Sequence, residues 1–253
     1  MSPIFALANQ KGGVGKTTTA INLGSAVAAL EKRVLLVDCD PQGNASRGLG
    51  IRIAGRPHLY HALTDQASVE SVVQSTGFPH FDIIPADRDL VGAEVEFVGE
   101  SGWESRLKHL LAPLKDRYAA ILLDCPPSLG HLTVLALTAS DGVLVPLQCE
   151  YFALEGISEL VSTIGRVQSN LNPELSIFGV VLTMYDDRTN LSRDVAEEAR
   201  RHFGSKVFSA VIPRNIRLAE APSHAMPILQ YDIKSRGAEA YLALGREFLE
   251  RLA

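Results

Sequence analysis

The chain of 253 residues is 46% hydrophobic and 21% charged, a globular composition that can bury one core, so we expect a single domain over residues 1–253. Its formal net charge of −5 argues against a globally basic nucleic-acid binder, although a local basic patch is compatible with it. The sequence has no apolar run of the ~20 residues that cross a bilayer, no visible secretory signal, and three scattered cysteines that fit neither a disulfide framework nor a zinc pattern, which favours the cytoplasm.

Short apolar runs alternate with helical patterns along the chain. The first predicted strand, residues 4–8, leads directly into a glycine-rich loop, and a helix is expected from about residue 16 to 30. Several strands are apolar on both faces, so the alternation predicts a doubly wound α/β fold with a mostly parallel sheet flanked by helices. The further predicted strands span residues 34–37, 81–86, 119–124, 142–147, 177–184 and 207–212, and the further predicted helices span residues 103–114, 154–168, 192–203 and 238–252.

The loop after the first strand, NQKGGVGKTTTA at residues 9–20, almost fits the phosphate-loop pattern G-x-x-x-x-G-K-[ST]. Glycines in such a loop let backbone N–H groups close around phosphate oxygens, and the following helix N-terminus adds its dipole. In this pattern Lys16 contacts the β- and γ-phosphates, and the Thr17 hydroxyl binds Mg²⁺. A glycine turn that only connects strand to helix would not explain this lysine–threonine pair. The predicted nucleotide-binding run is Lys11, Gly12, Gly13, Val14, Gly15, Lys16, Thr17 and Thr18.

The same loop departs from the pattern at two positions. Gln10 stands where the pattern has its first glycine, and a second lysine, Lys11, follows it directly. Because Lys16 already serves the phosphates, the pattern alone does not explain what the second cation contributes.

Acidic residues follow two of the predicted strands. Asp38 and Asp40 come directly after the second strand, and ligands of an open α/β sheet bind outside the carboxyl ends of its strands, so both carboxylates should face the phosphates. Asp124 ends the apolar run ILLD like a Walker B acid, which holds Mg²⁺ in P-loop enzymes. A solvated loop edge is the commoner place for an aspartate, but the neighbouring phosphate loop favours a metal or water role. Asp38 is left with a supporting or metal-side role.

These segments resemble a known family. The loop KGGVGKTT resembles the deviant Walker A motif of the ParA/MinD group of P-loop ATPases. The similarity to the short chromosomal ParA proteins, also called Soj, extends from residue 4 to about residue 248. The other segments that carry it are VLLVDCDPQGNAS, DLVGAEVE, LLDCPPSLG, VPLQCEYFALEGISEL, RTNLS and IPRNIRLAEAPSHAMPI.

The resemblance implies a slow, Mg²⁺-dependent ATP hydrolase whose cofactors are ATP and Mg²⁺. In this family the extra lysine, here Lys11, crosses a dimer interface and contacts the partner's nucleotide; a solvated surface lysine is the alternative. The negative charges of two ATP molecules held between two subunits need more cations than one loop supplies. The resemblance assigns catalysis to Lys11, Lys16 and Asp40, Mg²⁺ binding to Thr17, Asp40 and Asp124, and adenine contacts to Pro213 and Asn215.

A local excess of positive charge lies near the end of the chain. Residues 201–236 contain six lysines and arginines against two acids, a net of +4 in a chain whose total is −5. Clustered cations bind the phosphate backbone without reading base sequence, whereas a scatter of solvated cations on helix ends is the alternative. The family resemblance favours the patch. The predicted DNA contacts are Arg188, Arg214, Arg217, Lys234 and Arg236.

The resemblance implies a DNA-segregation ATPase that is cytoplasmic and associated with the nucleoid. Its ATP-bound homodimer would bind double-stranded DNA non-specifically, and a ParB-type centromere-binding partner would stimulate hydrolysis and release it. A MinD-like membrane switch is one alternative, but the final segment ALGREFLERLA balances its two arginines with two glutamates, so no membrane contact is expected. An iron–sulfur carrier would need paired cysteines at a dimer face. A ParA-like ATPase that positions another cargo also remains open.

Overall fold

The computed structural model describes residues 2–97, 99–150 and 155–252. Its described strands form one seven-stranded sheet in the order β3-β4-β2-β5-β1-β6-β7. Every neighbouring pair is parallel except β3 and β4, which are antiparallel. The strands are β1 (Ile4–Leu7), β2 (Val34–Asp38), β3 (Gln74–Ser75), β4 (Phe81–Ile84), β5 (Ala120–Asp124), β6 (Gly142–Gln148) and β7 (Ser176–Thr183).

Helices cover both faces of this sheet. Alternate residues of β2 point to opposite sides, with Leu35 and Val37 in one buried apolar cluster and Val34 and Leu36 in the other. The predicted doubly wound, mostly parallel α/β fold is therefore confirmed. The helices are α1 (Lys16–Ala29), α2 (Asn44–Gly48), α3 (Leu59–Leu63), α4 (Val69–Val72), α5 (Leu90–Glu96), α6 (Arg106–Leu111), α7 (His131–Ala139), α8 (Glu155–Asn170), α9 (Asn190–Phe203), α10 (Ile216–Glu220), α11 (Ile228–Tyr231) and α12 (Arg236–Leu252), with 3₁₀ turns at Trp103–Ser105, Ala112–Leu114, Gly204–Lys206 and Ala221–His224.

The strand order places β1 at the switch point of the sheet. The chain builds β2, β4 and β5 on one side of β1 and then crosses to add β6 and β7 on the other. In open α/β sheets the crevice at such a reversal is where ligands bind. The loop that follows β1 therefore lies at the position that this topology reserves for a ligand. None of the described helices has the length and apolarity needed to span a bilayer.

The predicted strand at residues 207–212 is wrong. This segment runs beside β7 and donates two backbone hydrogen bonds to it, from Phe208 and Ile212, but its pairing amounts to isolated bridges, at Val207–Val180 and just beyond at Pro213–Tyr185. Between the bridges, the N–H groups of residues 209 and 210 donate to the Glu247 carboxylate of α12 instead of to β7. The Glu247 carboxylate therefore interrupts the backbone hydrogen bonding between this segment and β7.

The predicted helices are found with shifted ends. The segment 103–114 contains only one α-helical stretch, α6, between two 3₁₀ turns, and Pro113 falls in the second turn. The predicted helix at 192–203 begins at residue 190, where the Thr189 hydroxyl accepts a hydrogen bond from the N–H of Ser192 as an N-cap. The helix predicted at 238–252 is α12, which begins two residues before the predicted start, at Arg236. The prediction at 154–168 corresponds to α8, except that Leu154 lies outside the described residues.

Candidate nucleotide-binding site

The loop between β1 and α1 has the open backbone that phosphate binding needs. Gly13 and Gly15 have φ values of 75° and 89°, the left-handed region in which a side chain is strained. A Cβ atom built at Gly12 or Gly13 would meet no heavy atom of the described residues within 4 Å. Gly13 and Gly15 therefore allow the turn, and Gly12 and Gly13 leave the loop backbone accessible to a ligand.

Lys16 is folded across this loop. Its Nζ atom donates hydrogen bonds to the carbonyl oxygens of Asn9, at 2.9 Å, and Lys11, at 3.2 Å. Burial lowers the pKa of Lys16, while Asp124 and Asp40 oppose that shift. The ammonium group is thus held at the centre of the loop by carbonyl groups that a phosphate can replace.

Two polar residues that the sequence did not single out fasten the loop to its neighbours. The Thr183 hydroxyl, at the end of β7, donates to the carbonyl oxygen of Val14 at 2.8 Å. The Asn9 side chain donates to the carbonyl oxygen of Pro146 at 2.8 Å and accepts from the N–H of Lys11 at 3.0 Å. The loop is therefore tied to β6 and β7. The only sequence signal for these roles is that both residues follow or end apolar strands at the same edge of the sheet.

Two buried carboxylates lie side by side below the loop. Asp38 and Asp124 are paired in the register of β2 and β5, and both are fully buried. Asp38 Oδ2 accepts from the Ser46 N–H at 2.9 Å and the Ser46 hydroxyl at 2.7 Å. Neither oxygen of Asp124 has a hydrogen-bond partner at good geometry among the described residues, and the Thr17 side chain is the one polar group that approaches it. Because a buried carboxylate with so few polar partners is costly, a cation bound beside Asp124 would be stabilised.

Burial dominates the titration of both groups. It raises the pKa of Asp38 to about 6, against the hydrogen bonds from Ser46 that lower it. Burial also raises the pKa of Asp124 well above its ordinary value, and the nearby Asp38 carboxylate raises it further, while Thr17 and Lys16 act in the opposite direction. Oxygen ligands beside a threonine hydroxyl fit Mg²⁺, the cation that phosphate loops hold with a threonine and an aspartate. The residues present therefore fit a magnesium site.

Asp40 is also buried, near the mouth of the site. Its Oδ1 atom accepts a hydrogen bond from the N–H of Gln42 at 2.8 Å, and its own N–H donates to Asp38 at 3.2 Å. These two bonds fix the direction of the carboxylate. Asp40 borders a cavity of about 390 Å³, whose lining includes the predicted loop residues Gly12, Gly13, Gly15, Lys16, Thr17 and Thr18.

The burial of Asp124 should lower the stability of the folded chain at neutral and higher pH. Its pKa is raised above the ordinary 3.8, so the folded chain keeps a proton that the unfolded chain releases, and the free energy of unfolding falls as pH rises above that value. We expect Asp124→Asn to remove this penalty and to raise the free energy of unfolding near pH 8 by about 1–3 kcal/mol. Thermal melts without Mg²⁺ measure it, and the gain should shrink near pH 4. A variant that is less stable than the parent at pH 8 would contradict this account.

A second cavity of about 230 Å³ adjoins the first. Pro213 and Asn215, the predicted adenine contacts, lie in its wall. Gly15, Thr18 and Met184 border both cavities, so the two spaces meet at the start of α1. The adenine role stays a prediction, but its two residues lie next to the phosphate loop despite about 200 intervening residues. Met184, with a left-handed φ of 51°, is a lining residue that the sequence reasoning missed.

Lys11 lies on the outer side of the loop. Its side chain is 34% exposed, and its Nζ atom lies 3.9 Å from the carboxylate of Glu150. Glu150 also accepts a hydrogen bond from Arg214 at 3.1 Å, so one exposed acid faces two predicted functional cations. The structure does not place Lys11 against the lining of either cavity. Its predicted contact with a partner's nucleotide stays a prediction.

The predicted DNA-binding arginines all lie on the surface beside carboxylates. The shortest distances are 2.7 Å from Arg188 to Asp186, 3.1 Å from Arg214 to Glu150, 2.9 Å from Arg217 to Glu220, and 3.9 Å from Arg236 to Asp187. Arg217 also lies 3.5 Å from Asp232, and Lys234 is exposed nearby. The local positive excess is therefore smaller than the count over residues 201–236 suggests, because acids outside that range contribute. The DNA contacts stay predictions.

The fold and the site together define a class. A parallel doubly wound sheet whose first strand leads into a glycine loop with Lys16 and Thr17, faced by Asp40 and Asp124 from neighbouring strands, is a P-loop nucleoside-triphosphatase. Residues 2–177 match the AAA domain family. The chain is 55% identical over 251 residues to the chromosome partitioning protein ParA of Caulobacter vibrioides, covering 98% of this chain and 94% of that protein. The chain belongs to the ParA/Soj family of chromosome-partitioning ATPases.

The chain is also similar to a second Soj protein and to two solved structures. The chain is 54% identical over 248 residues to the sporulation initiation inhibitor protein Soj of Bacillus subtilis, with 98% of each protein covered. Cobyrinic acid a,c-diamide synthase from Mycobacterium smegmatis, solved with bound ADP and magnesium, superposes with a TM-score of 0.87 at 37% identity, covering 100% of this chain and 96% of that one. The cell division ATPase MinD of Pyrococcus furiosus superposes with a TM-score of 0.82 at 27% identity over 100% of both chains.

Proposed function

We propose that this chain is an ATP- and Mg²⁺-dependent DNA-segregation ATPase that acts as a slow switch. Its ATP-bound homodimer binds double-stranded DNA without sequence preference, and a ParB-type centromere-binding protein stimulates hydrolysis and so releases the dimer. The observation that carries this proposal is that Lys16 is folded over an open glycine loop and that the buried Asp124 carboxylate, approached only by Thr17, lies close enough to Lys16 for their charges to interact. The positive Lys16 suits the negative triphosphate, and the negative Asp124 carboxylate suits Mg²⁺.

The chain's own residues would divide the work of hydrolysis. The loop N–H groups and Lys16 would bind the phosphates, and the Lys16 ammonium would exchange its two carbonyl partners for phosphate oxygens. Thr17 and Asp124, with Asp40 beside them, would hold Mg²⁺, which neutralises negative charge on the phosphates. Asp40, whose direction is fixed by Gln42, would orient the attacking water. Catalysis of this kind consists of positioning and electrostatic stabilisation.

Lys11 supports the dimer part of the proposal. It is the loop cation that no phosphate of its own subunit requires, and its ion pair with Glu150 is long and partly exposed. Exposed pairs of this kind contribute little, so a partner's triphosphate can replace Glu150 as the counter-charge. ATP would then become part of the dimer interface, and dimerisation would depend on the nucleotide.

The surface arginines support the DNA part. Arg217 is 54% exposed and its pKa is raised by its hydrogen bond to Glu220, so the guanidinium is charged at any working pH. Solvent screens its pairs with Glu220 and Asp232, and DNA phosphates can compete for the same donors. Two subunits in one dimer would present this surface twice, which explains why binding should depend on ATP.

Nucleotide-dependent DNA binding tests the proposed function. We expect a random-sequence duplex to be shifted by the chain with a non-hydrolysable ATP analogue, but not with ADP or without nucleotide, and to be released by added salt. Liposomes of anionic lipid should not pellet the chain under the same conditions. If the chain pelleted with the liposomes and did not shift the duplex, the proposed DNA-binding function would be wrong and a membrane switch would be favoured.

Arg217→Glu sharpens this test. We expect it to weaken DNA affinity at least roughly tenfold and to flatten the salt dependence by about one unit for each lost phosphate contact. Light scattering should show that ATP-driven dimerisation is retained. The matched control is Arg33→Glu, because Arg33 is also an exposed arginine paired with an aspartate, Asp82, but it directly precedes β2, at the ends of the strands opposite the phosphate loop. Equal loss in both variants would mean that overall charge, not this surface, governs binding.

A further inference from the structure

A cluster of three potential metal ligands lies outside the nucleotide site. His58 precedes α3, and Asp87 and Asp89 precede α5. The His58 Nε2 atom lies 3.3 Å from Asp87 Oδ1 and 3.8 Å from Asp89 Oδ2, and one ligand atom from each residue lies within 4.8 Å of the others. His58 is only 2% exposed, whereas the Asp89 side chain is 65% exposed. The cluster is therefore closed on its imidazole side and open to water on its carboxylate side.

The charges of this cluster are unbalanced without a cation. Two carboxylates converge on the Nε2 atom of this one buried imidazole, at 3.3 Å and 3.8 Å. A neutral imidazole offers one hydrogen at most, so Nε2 can satisfy only one of the two carboxylates that converge on it. Nε2 is therefore the ring nitrogen that a cation between the three residues would meet.

The geometry points to a binding site for a divalent transition-metal cation of the Zn²⁺ type, held by His58, Asp87 and Asp89 and completed by water. In a tetrahedral Zn²⁺ site with bonds of about 2.0–2.1 Å, neighbouring ligand atoms lie roughly 3.3 Å apart. The distance from His58 to Asp87 already has this value, and the exposed Asp89 carboxylate has only to move inward. An imidazole ligand favours Zn²⁺ over Mg²⁺ or Ca²⁺, which prefer oxygen ligands.

This site lies directly behind a wall of the nucleotide site. The N–H of Ala86 donates to the Ser46 hydroxyl at 3.1 Å, and that hydroxyl donates to Asp38 at 2.7 Å. The loop after Asp40 packs on the same segment, because a Cβ atom at Gly43 would lie 2.6 Å from the Ala86 carbonyl oxygen. A metal bound by residues 58, 87 and 89 would fasten the starts of α3 and α5 together and so hold this wall in place.

Metal binding to chelator-treated, nucleotide-free protein tests the proposal. We expect calorimetric titration of the Asp124→Asn variant, which removes the cation position of the nucleotide site, to give one Zn²⁺ per chain, and its thermal melts to rise by several degrees with Zn²⁺ but not with equimolar Mg²⁺. Co²⁺ should give the intense visible absorption of a tetrahedral site without a thiolate charge-transfer band. His58→Gln and Asp89→Asn should each weaken Zn²⁺ affinity at least tenfold.

Two choices keep this test decisive. The control variant is His109→Gln, since His109 is an exposed helical histidine whose loss should leave the titration unchanged. Asp89→Asn is the more informative substitution if His58→Gln fails to fold, because the Asp89 side chain is mostly exposed. Zn²⁺ affinity unchanged in Asp89→Asn, or a thiolate band with Co²⁺, would overturn the assignment and place the metal elsewhere.

Discussion

Lys16→Ala should lose almost all affinity for ATP. In the structure the Lys16 ammonium makes two hydrogen bonds to loop carbonyls, and nucleotide binding would replace them with two bonds to phosphates. Charge-assisted hydrogen bonds contribute about 1.5–3 kcal/mol each, so losing two predicts binding that is roughly 10²–10⁴-fold weaker. Titration with a fluorescent ATP analogue measures this loss directly.

The control for this variant is a lysine outside the loop. Lys32 is exposed on the turn between α1 and β2, and Lys32→Ala should bind ATP like the parent. Thermal melts should confirm that Lys16→Ala is folded, since its side chain also packs within the loop. If folded Lys16→Ala kept tight ATP binding, the phosphate-loop assignment would be wrong, and with it the basis of the proposed dimer.

The sequence predicted those parts of the fold that local pattern determines. The strands β1, β2, β5 and β6 are continuous apolar runs, since each is buried on both faces, and their ends were placed within a residue or so. Helix α7 was missed for the same physical reason, because it is almost wholly buried and lacks the polar face that makes helical periodicity visible. Strand β3 was missed because two polar residues carry no apolar pattern.

What the sequence could not predict depends on partners that are distant in the chain. The failed strand at 207–212 is diverted by Glu247, and the positive patch is reduced by acids such as Glu150, which lies 64 residues from Arg214. Asp124 could be recognised as a Walker B acid, but its scarcity of polar partners is a property of packing. The His58 cluster likewise joins two segments whose separation of about 30 residues hides any ligand pattern.

Asp40→Ala should keep most of its ATP affinity, which depends mainly on the loop and Lys16, and should lose nearly all turnover. Its carboxylate borders the phosphate cavity and is fixed by the N–H of Gln42, so besides its place beside Mg²⁺ it is available to orient a water molecule. Groups that position or deprotonate a water molecule contribute roughly 10²–10⁴-fold to rate. Phosphate release over several hours, compared with ATP affinity from titration, separates the two effects. Asp116→Ala, at the opposite end of β5, is the control and should hydrolyse ATP at the parent rate.

The same variant also tests the link between hydrolysis and DNA release. If ATP holds two subunits together and hydrolysis separates them, Asp40→Ala should accumulate as a dimer with ATP itself, without a non-hydrolysable analogue. That dimer should stay on DNA until salt screens its phosphate contacts, whereas the parent leaves as ATP is consumed. Normal turnover would remove Asp40 from catalysis. If the variant lost turnover but light scattering showed only monomers, Asp40 would keep its catalytic role. The proposed dependence of the dimer on ATP would then be wrong, because bound ATP would not hold two subunits together.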